Sequence, residues 1–130
     1  MKLLATLALL MCSTAAVSAP LSKEEAAFVI VTVGMIRVSV ECGYEDDIAA
    51  LDKLGDANGV DGPALRKAVA EALLVRSGND YDRAKLIPEV TRVFNEAWRD
   101  ATLAINKDRR GFCKKLGGAL INKGLMRRKP

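Results

Sequence analysis

Histidine is absent from all 130 residues of the chain. Its absence excludes histidine-based acid and base catalysis, the common Ser-His-Asp triads and every zinc site that requires a histidine ligand. Serine is also scarce after residue 19, and Ser22, Ser39 and Ser77 have no activating base near them in sequence. Nucleophilic catalysis is therefore disfavoured. We expect a protein that is not an enzyme and that has neither a cofactor nor a metal site.

The sequence also contains no internal repeat, no linker and no low-complexity segment. Residues 1–19 are typical of a secretory signal peptide, with a positive start at Lys2, an apolar run over residues 3–11 and small residues over 13–19. That run is too short to span a bilayer. We expect a periplasmic or secreted protein whose remaining residues, about 111, form one domain.

The cleavage site within this leader has three candidates. Cleavage after Ala19 satisfies the preference for small residues, but it places Pro20, which has no N–H, directly after the cut. Cleavage after Ser18 or Ala16 is the alternative. Each of these sites gives a mature chain that begins between residues 17 and 20.

Two of the three cysteines, Cys42 and Cys113, remain after processing. In an exported chain such a pair predicts a disulfide, with intermolecular pairing or two free thiols as the alternatives. The bond would close a loop of about 70 residues and stabilise the fold by roughly 4 kcal/mol in the chain-entropy account. Cys12 follows Met11, where lipoprotein signals need a small residue, so a lipid anchor is disfavoured.

The most apolar part of the mature chain is residues 22–42, which we expect at the centre of the fold. Ser22 and Glu25 form a capping-box pattern that predicts a helix start. The β-branched run over residues 29–33 is the competing signal for a strand, but no second segment of that kind is present to pair with it. Helix is therefore favoured. Gly34 inside it indicates a place where another helix crosses closely.

The rest of the mature chain gives further helical patterns. Glu45, Asp46 and Asp47 are predicted to open a second helix, and Asp61 a third. Residues 79–80 are expected to cap a short turn that ends near residue 86. Pro88 then begins the longest periodic segment, whose apolar stripe includes Phe94 and Trp98 as expected core residues. Polar residues 106–111 are expected to bend or break this segment, and the glycines at 117–118 to weaken it.

These patterns predict an all-α, single-domain bundle of four to five helices with one intramolecular disulfide, after a cleaved signal peptide. The expected boundaries are a signal peptide over residues 1–19, a helical domain over 20–124 and a loose basic tail over 125–130.

Charge is distributed unevenly along the mature chain. Residues 20–82 contain 6 basic and 12 acidic residues, net −6, and residues 83–130 contain 13 basic and 4 acidic, net +9. The basic segment over residues 107–129 is therefore the candidate surface for an anionic partner. Its candidate binding residues are Arg109, Arg110, Lys114, Lys115, Lys123, Arg127 and Arg128. In the alternative interpretation, the disulfide brings the acids between residues 41 and 47, which are Glu41, Glu45, Asp46 and Asp47, beside Arg109, Arg110, Lys114 and Lys115. Much of the patch is then neutralised internally.

Two acidic clusters resemble functional sites only superficially. Residues 56–67 have the wrong spacing for a calcium loop, with Val60, Asp61 and Lys67 at positions five, six and twelve. A turn followed by a helix cap at Asp61 accounts for them. The acids between residues 41 and 47 lack the cleft that a glycosidase needs, and the helix dipole explains acids in a first turn.

A leader, an apolar helix that ends in Cys42-Gly43-Tyr44, and a second cysteine in a late basic helix make the chain similar to small helical periplasmic proteins of proteobacteria. Acid-stress chaperones share the single disulfide between helices, and immunity proteins against cell-wall amidases share size and helicity. No motif identifies one family. The resemblance implies a non-catalytic binding protein with a protein partner, such as an inhibitor, immunity partner or stress chaperone. The alternative is a binder of anionic envelope surfaces such as lipid headgroups or cell-wall polymer. Nucleic acid is not expected as a partner.

Overall fold

The computed structural model describes residues 20–130. The predicted signal peptide over residues 1–19, its cleavage region and Cys12 lie outside the described residues. In chain order the elements are α1 (Lys23–Cys42), β1 (Tyr44–Asp46), α2 (Ile48–Ala57), α3 (Gly62–Arg76), a 3₁₀ turn (Arg83–Lys85), α4 (Pro88–Lys107), α5 (Arg109–Phe112), a π-helical segment (Cys113–Gly117), α6 (Gly118–Asn122) and β2 (Met126–Arg128). Residues 109–122, which are helical throughout, are called the return segment below.

Helix α1 begins and ends where the sequence predicts. The hydroxyl oxygen of Ser22 accepts the N–H of Glu25 at 3.0 Å, and the Glu25 carboxylate accepts the N–H of Ser22 at 2.9 Å. This reciprocal pair satisfies two donors that have no partner within the helix. At the other end, Gly43 has a φ of +70°, a left-handed conformation that glycine adopts without a Cβ penalty. The helix interpretation of residues 29–33 is confirmed.

Helix α1 contacts α3, α4 and the π-helical segment, so it is the central element of the bundle. Its largest fully buried side chains are Val29, Val33, Met35 and Val38. The core extends through apolar side chains of the other elements, including Leu51, Leu65, Val69, Val90, Phe94 and Leu120. The expected central position of this helix is therefore observed, although 53% of Ile30 and 73% of Val40 is exposed.

The bundle is all-α, with four helices of ten residues or more and the helical return segment as a fifth unit. This arrangement confirms the predicted fold class. Helix α3 begins at the predicted cap, where the Asp61 carboxylate accepts the N–H of Ala64 at 3.2 Å. Helix α4 begins at Pro88 and ends at Lys107, and Asp108 then caps α5 by accepting the N–H of Gly111 at 2.9 Å.

A short antiparallel ladder joins β1 to β2, with Tyr44 opposite Arg128, Glu45 opposite Arg127 and Asp46 opposite Met126. It corrects the prediction of a loose tail over residues 125–130. Leu125 and Met126 are only 2% and 4% exposed, and burial of these apolar side chains holds the end of the chain in place.

The same ladder corrects the predicted start of the second helix. Glu45 and Asp46 lie in β1, and α2 begins at Ile48 with Asp47 as its cap. The cap of the 3₁₀ turn is likewise Asp82, whereas the sequence pattern indicated residues 79–80. Asp47 is one of the three acids predicted to open α2, and Asp82 lies two residues after the predicted cap.

At Gly34 and Gly117 the backbone packs closely against a side chain of another element. A Cβ on Gly34 would lie 3.4 Å from Cδ2 of Leu116, so the return segment passes there as expected but leaves room for a methyl group. A Cβ on Gly117 would lie 2.7 Å from Cε2 of Tyr44, which is too close. Gly117 therefore allows the Tyr44 ring to pack against the return segment.

Candidate functional site

The disulfide joins Cys42 at the end of α1 to Cys113 at the start of the π-helical segment, with the two Cα atoms 5.7 Å apart. The predicted pairing is confirmed. It fixes the return segment against α1 across 71 residues of sequence. A disulfide is compatible with an oxidising compartment, and hence with export.

A groove of about 400 Å³ lies beside this bond. We call it the disulfide groove. Its lining residues are Glu41, Cys42, Tyr44, Arg109, Arg110, Cys113, Lys114 and Arg128. They come from three parts of the chain: the end of α1 with β1, the return segment and β2.

The seven predicted basic residues do not share one surface. Four of them, Arg109, Arg110, Lys114 and Arg128, line the disulfide groove. Lys115 is exposed outside it. Lys123 lines an apolar groove, described below, and Arg127 pairs with Glu45 at 2.8 Å.

Internal neutralisation of the basic segment involves two of the predicted acids, Glu41 and Glu45, but the pairing differs in part from the prediction. Glu41 pairs with Arg109 at 3.4 Å, and its carbonyl oxygen accepts a second Arg109 N–H at 2.8 Å. Glu45 pairs with Arg127 instead of the predicted cluster around Arg109. The hydrogen bond to Glu45, reinforced by its charge, raises the pKa of Arg127. Within residues 20–130, neither Asp46 nor Asp47 forms an ion pair closer than 4.0 Å.

A buried arginine on α1 is the feature that the sequence did not indicate. Arg37 is 7% exposed and donates hydrogen bonds to the Trp98 carbonyl at 3.2 Å and the Thr102 hydroxyl at 2.7 Å. Its guanidinium also lies 3.7 Å from the carboxylate of Glu41. Because Glu41 also contacts Arg109, one carboxylate links the buried guanidinium to the disulfide groove.

The predicted core position of Phe94 is confirmed, and Trp98 is partly buried against it. Phe94 is 0% exposed, and its ring centroid lies 5.4 Å from that of Trp98. Arg37 and Arg76 lie 4.3 and 5.4 Å from the centroid of the Trp98 ring. Trp98 is therefore a packing residue between the core and two guanidinium groups.

A second groove, of about 340 Å³, lies between α4 and the return segment, with α1 contributing to its floor. We call it the apolar groove. Its apolar lining residues are Ile30, Val31, Val33, Gly34, Val93, Ala97, Ala101, Phe112, Leu116, Ala119 and Leu120. Its charged lining residues are Glu96 and Asp100 on α4 and Lys123 after the return segment. None of its lining residues is serine, threonine, cysteine or histidine.

A neighbouring depression of about 310 Å³ continues this surface toward the start of α1. Ala27 and Phe28 of α1, Leu54 of α2 and Val60 contribute apolar atoms to it. Val31 and Lys123 line both cavities, so the two are adjacent. Ala27, Ile30, Val31 and Gly34 have the spacing of one helix face. Ala27 and Ile30 on this face are exposed and Val31 is half-buried, whereas Gly34 is covered by Leu116 of the return segment. The first half of this α1 face is therefore left uncovered.

The arrangement offers no metal centre in the described part of the chain. Within residues 20–130, no group of three or more cysteine, aspartate or glutamate side chains is placed to hold a metal ion. None of the helices in the same residues is long and apolar enough to cross a membrane.

Comparison of the chain with protein-family models, with curated proteins and with solved structures gave no match. The two grooves are therefore the surfaces that indicate a function.

Proposed function

We propose that this chain is an exported, non-catalytic binding protein that holds an apolar helical segment of a protein partner in the apolar groove. The class includes inhibitors, immunity partners and chaperones. The observation that supports it best is the uncovered face of α1, where Ile30 is 53% exposed in the middle of the most apolar helix.

Covering this face would be favourable for any apolar occupant. Burial of apolar surface contributes roughly 25 cal/mol per Å², and most of the groove lining consists of aliphatic side chains. Contiguous apolar surface with a polar rim is typical of interaction sites. A partner helix with apolar residues at positions i, i+3, i+4 and i+7 would match a surface of this kind.

The charged rim indicates the chemistry of the occupant. Glu96 and Asp100 lie on the α4 edge, and Lys123 lies on the opposite side. Glu96 is paired with Arg92 at 3.1 Å, whereas the contact of Asp100 with Arg99 is longer, at 3.9 Å, so Asp100 is the more available acid. A partner segment with a basic residue toward α4 and an acidic residue toward Lys123 would be complementary. An anionic lipid is disfavoured, because the two carboxylates would repel its headgroup.

The non-catalytic part of the proposal rests on the composition of the groove. Its charged groups are two carboxylates on one edge and one ammonium group on the other, and no hydroxyl or thiol side chain lines it. Such a surface supports binding, because it supplies no hydroxyl, thiol or imidazole group to act as a nucleophile.

Position-specific photo-crosslinking tests this proposal. A photoreactive amino acid replaces Ile30 in one variant and Val40 in a matched control, since both are exposed β-branched residues of α1 but only Ile30 lines the groove. We expect the position-30 probe alone to label a protein in the producing cell's export compartment. We also expect mass spectrometry to map that label to an apolar helical segment.

Two results would contradict the proposal. Equal labelling of the same proteins from positions 30 and 40 would mean that the apolar groove is not the contact surface. Attachment of the position-30 probe to lipid, without any protein product, would assign the groove to an acyl chain.

A further inference from the structure

The disulfide groove has an unbalanced charge. Glu41 is its only acidic lining residue, and the Glu41 carboxylate already contacts both Arg37 and Arg109. Within residues 20–130, Arg110, Lys114 and Arg128 form no ion pair closer than 4.0 Å. Three uncompensated positive charges therefore line one groove.

These cations are held together by the fold and not by mutual attraction. The disulfide fixes Cys113, and with it the neighbouring Lys114, beside the end of α1. The β ladder places Arg128 opposite Tyr44, which is two residues after Cys42. All three side chains are exposed, so solvent screens much of their mutual repulsion, and a bound anion would reduce the rest.

The distribution of the other basic residues favours a local site over a flat basic surface. Lys123 lines the apolar groove, and Arg127 is engaged by Glu45. Arg127 and Arg128 are consecutive strand residues, whose side chains point to opposite faces. Only Arg128 of this pair contributes to the disulfide groove.

We propose that the disulfide groove binds a phosphate group through Arg110, Lys114 and Arg128. A phosphate monoester carries about 1.5 to 2 negative charges at neutral pH, so it matches three cations better than a single carboxylate does. Arginine offers a planar pair of N–H donors for phosphate oxygens, and lysine adds a compact charge. This site is separate from the apolar groove and does not depend on the function proposed for it.

The test compares Arg128→Gln with Arg127→Gln in the disulfide-bonded protein. Both variants lose one positive charge from the same strand, but only Arg128 lines the groove. Inorganic phosphate is titrated into ¹⁵N-labelled protein, with chloride adjusted to keep the ionic strength constant. We expect saturable amide shifts at Tyr44, Lys114 and Arg128, with affinity about tenfold weaker in Arg128→Gln and changed less than twofold in Arg127→Gln.

A second arm distinguishes the source of the phosphate. Vesicles of phosphatidylcholine with added phosphatidic acid, whose headgroup is a phosphate monoester, replace the inorganic phosphate, and pure phosphatidylcholine vesicles are the control. Dependence on Arg128 with inorganic phosphate supports a site for a soluble phosphate. The same dependence with the anionic vesicles alone supports a lipid headgroup site.

Two triple variants control for the effect of lost net charge on phosphate binding. Arg110→Gln, Lys114→Gln and Arg128→Gln together are compared with Lys53→Gln, Lys67→Gln and Arg83→Gln, which remove the same charge from other exposed positions. The proposal is overturned if both triples weaken phosphate binding equally, if Arg127→Gln matches Arg128→Gln, or if neither phosphate nor anionic vesicles bind.

Discussion

The guanidinium of Arg37 lies 4.3 Å from the centroid of the Trp98 ring, and it also donates a hydrogen bond to the Trp98 backbone carbonyl. One buried side chain thus connects α1 to α4 through stacking and hydrogen bonding. A further donor contacts Thr102, and the charge is partnered by Glu41. Every polar group of this arginine that is buried has a partner within residues 20–130.

Replacement of Arg37 by alanine should lower the free energy of unfolding by about 2–3 kcal/mol, since it removes a charged hydrogen-bond donor and the packed aliphatic stem. Arg76→Ala is the matched control, because Arg76 also lies over Trp98 but is exposed. Arg76→Ala should lower the free energy of unfolding by less than about 1 kcal/mol. Urea unfolding followed by circular dichroism measures both. Equal stability losses would mean that the buried position of Arg37 contributes nothing.

Two glycine-to-alanine variants should have opposite effects. Gly34→Ala should raise stability by about 0.5–1 kcal/mol, because alanine is the better helix former and its methyl would lie 3.4 Å from Leu116. Gly117→Ala should lower it by about 1–3 kcal/mol, because its methyl would meet the Tyr44 ring at 2.7 Å. Thermal or urea unfolding checks both signs, and a destabilised Gly34→Ala would show that the crossing with Leu116 leaves no room.

Truncation of the C-terminus distinguishes a folded end from a loose tail. Deletion of residues 125–130 removes β2 and the buried side chains of Leu125 and Met126. It should therefore lower the free energy of unfolding by at least about 3 kcal/mol. Deletion of residues 129–130 leaves the ladder intact and should lower the free energy of unfolding by less than about 0.5 kcal/mol. Equal stability of the two truncated proteins in urea unfolding would restore the loose-tail interpretation.

The sequence predicts the elements that local signals specify. The ends of α1 follow from Ser22, Glu25 and Gly43, and the disulfide follows from an even pair of cysteines after a predicted signal peptide. Burial of Phe94 follows from helical periodicity. The helix ends and the burial of Phe94 depend on residues a few positions apart in sequence. The disulfide depends on the number of cysteines.

The features that were missed depend on residues far apart in the chain. The hydrogen-bond partners of Arg37 are 61 and 65 residues away, so no local pattern indicates its burial. Strand β2 is only three residues long, too short for an alternating pattern, and it is specified by pairing with β1. The apolar groove arises because α4 and the return segment leave one face of α1 uncovered, which composition alone cannot show.

Processing of the N-terminus is a separate prediction, because residues 1–19 have the pattern of a signal peptide. Intact mass and N-terminal sequencing of protein from the export compartment should give a first residue between Val17 and Pro20. Recovery of chains that retain Met1 or Lys2 from soluble intracellular protein, and none from the envelope, would remove the basis for export.

The most direct measurement is the affinity of the partner segment identified by crosslinking for Ile30→Glu and Val40→Glu, determined by isothermal titration calorimetry. Both variants place a carboxylate at an exposed position of α1, and unfolding controls should show that both remain folded. We predict that Ile30→Glu weakens binding at least about tenfold, since it places a charge within the apolar groove, and that Val40→Glu changes it less than about twofold. Equal affinities for the two variants would contradict the proposal that the uncovered face of α1 is the binding surface.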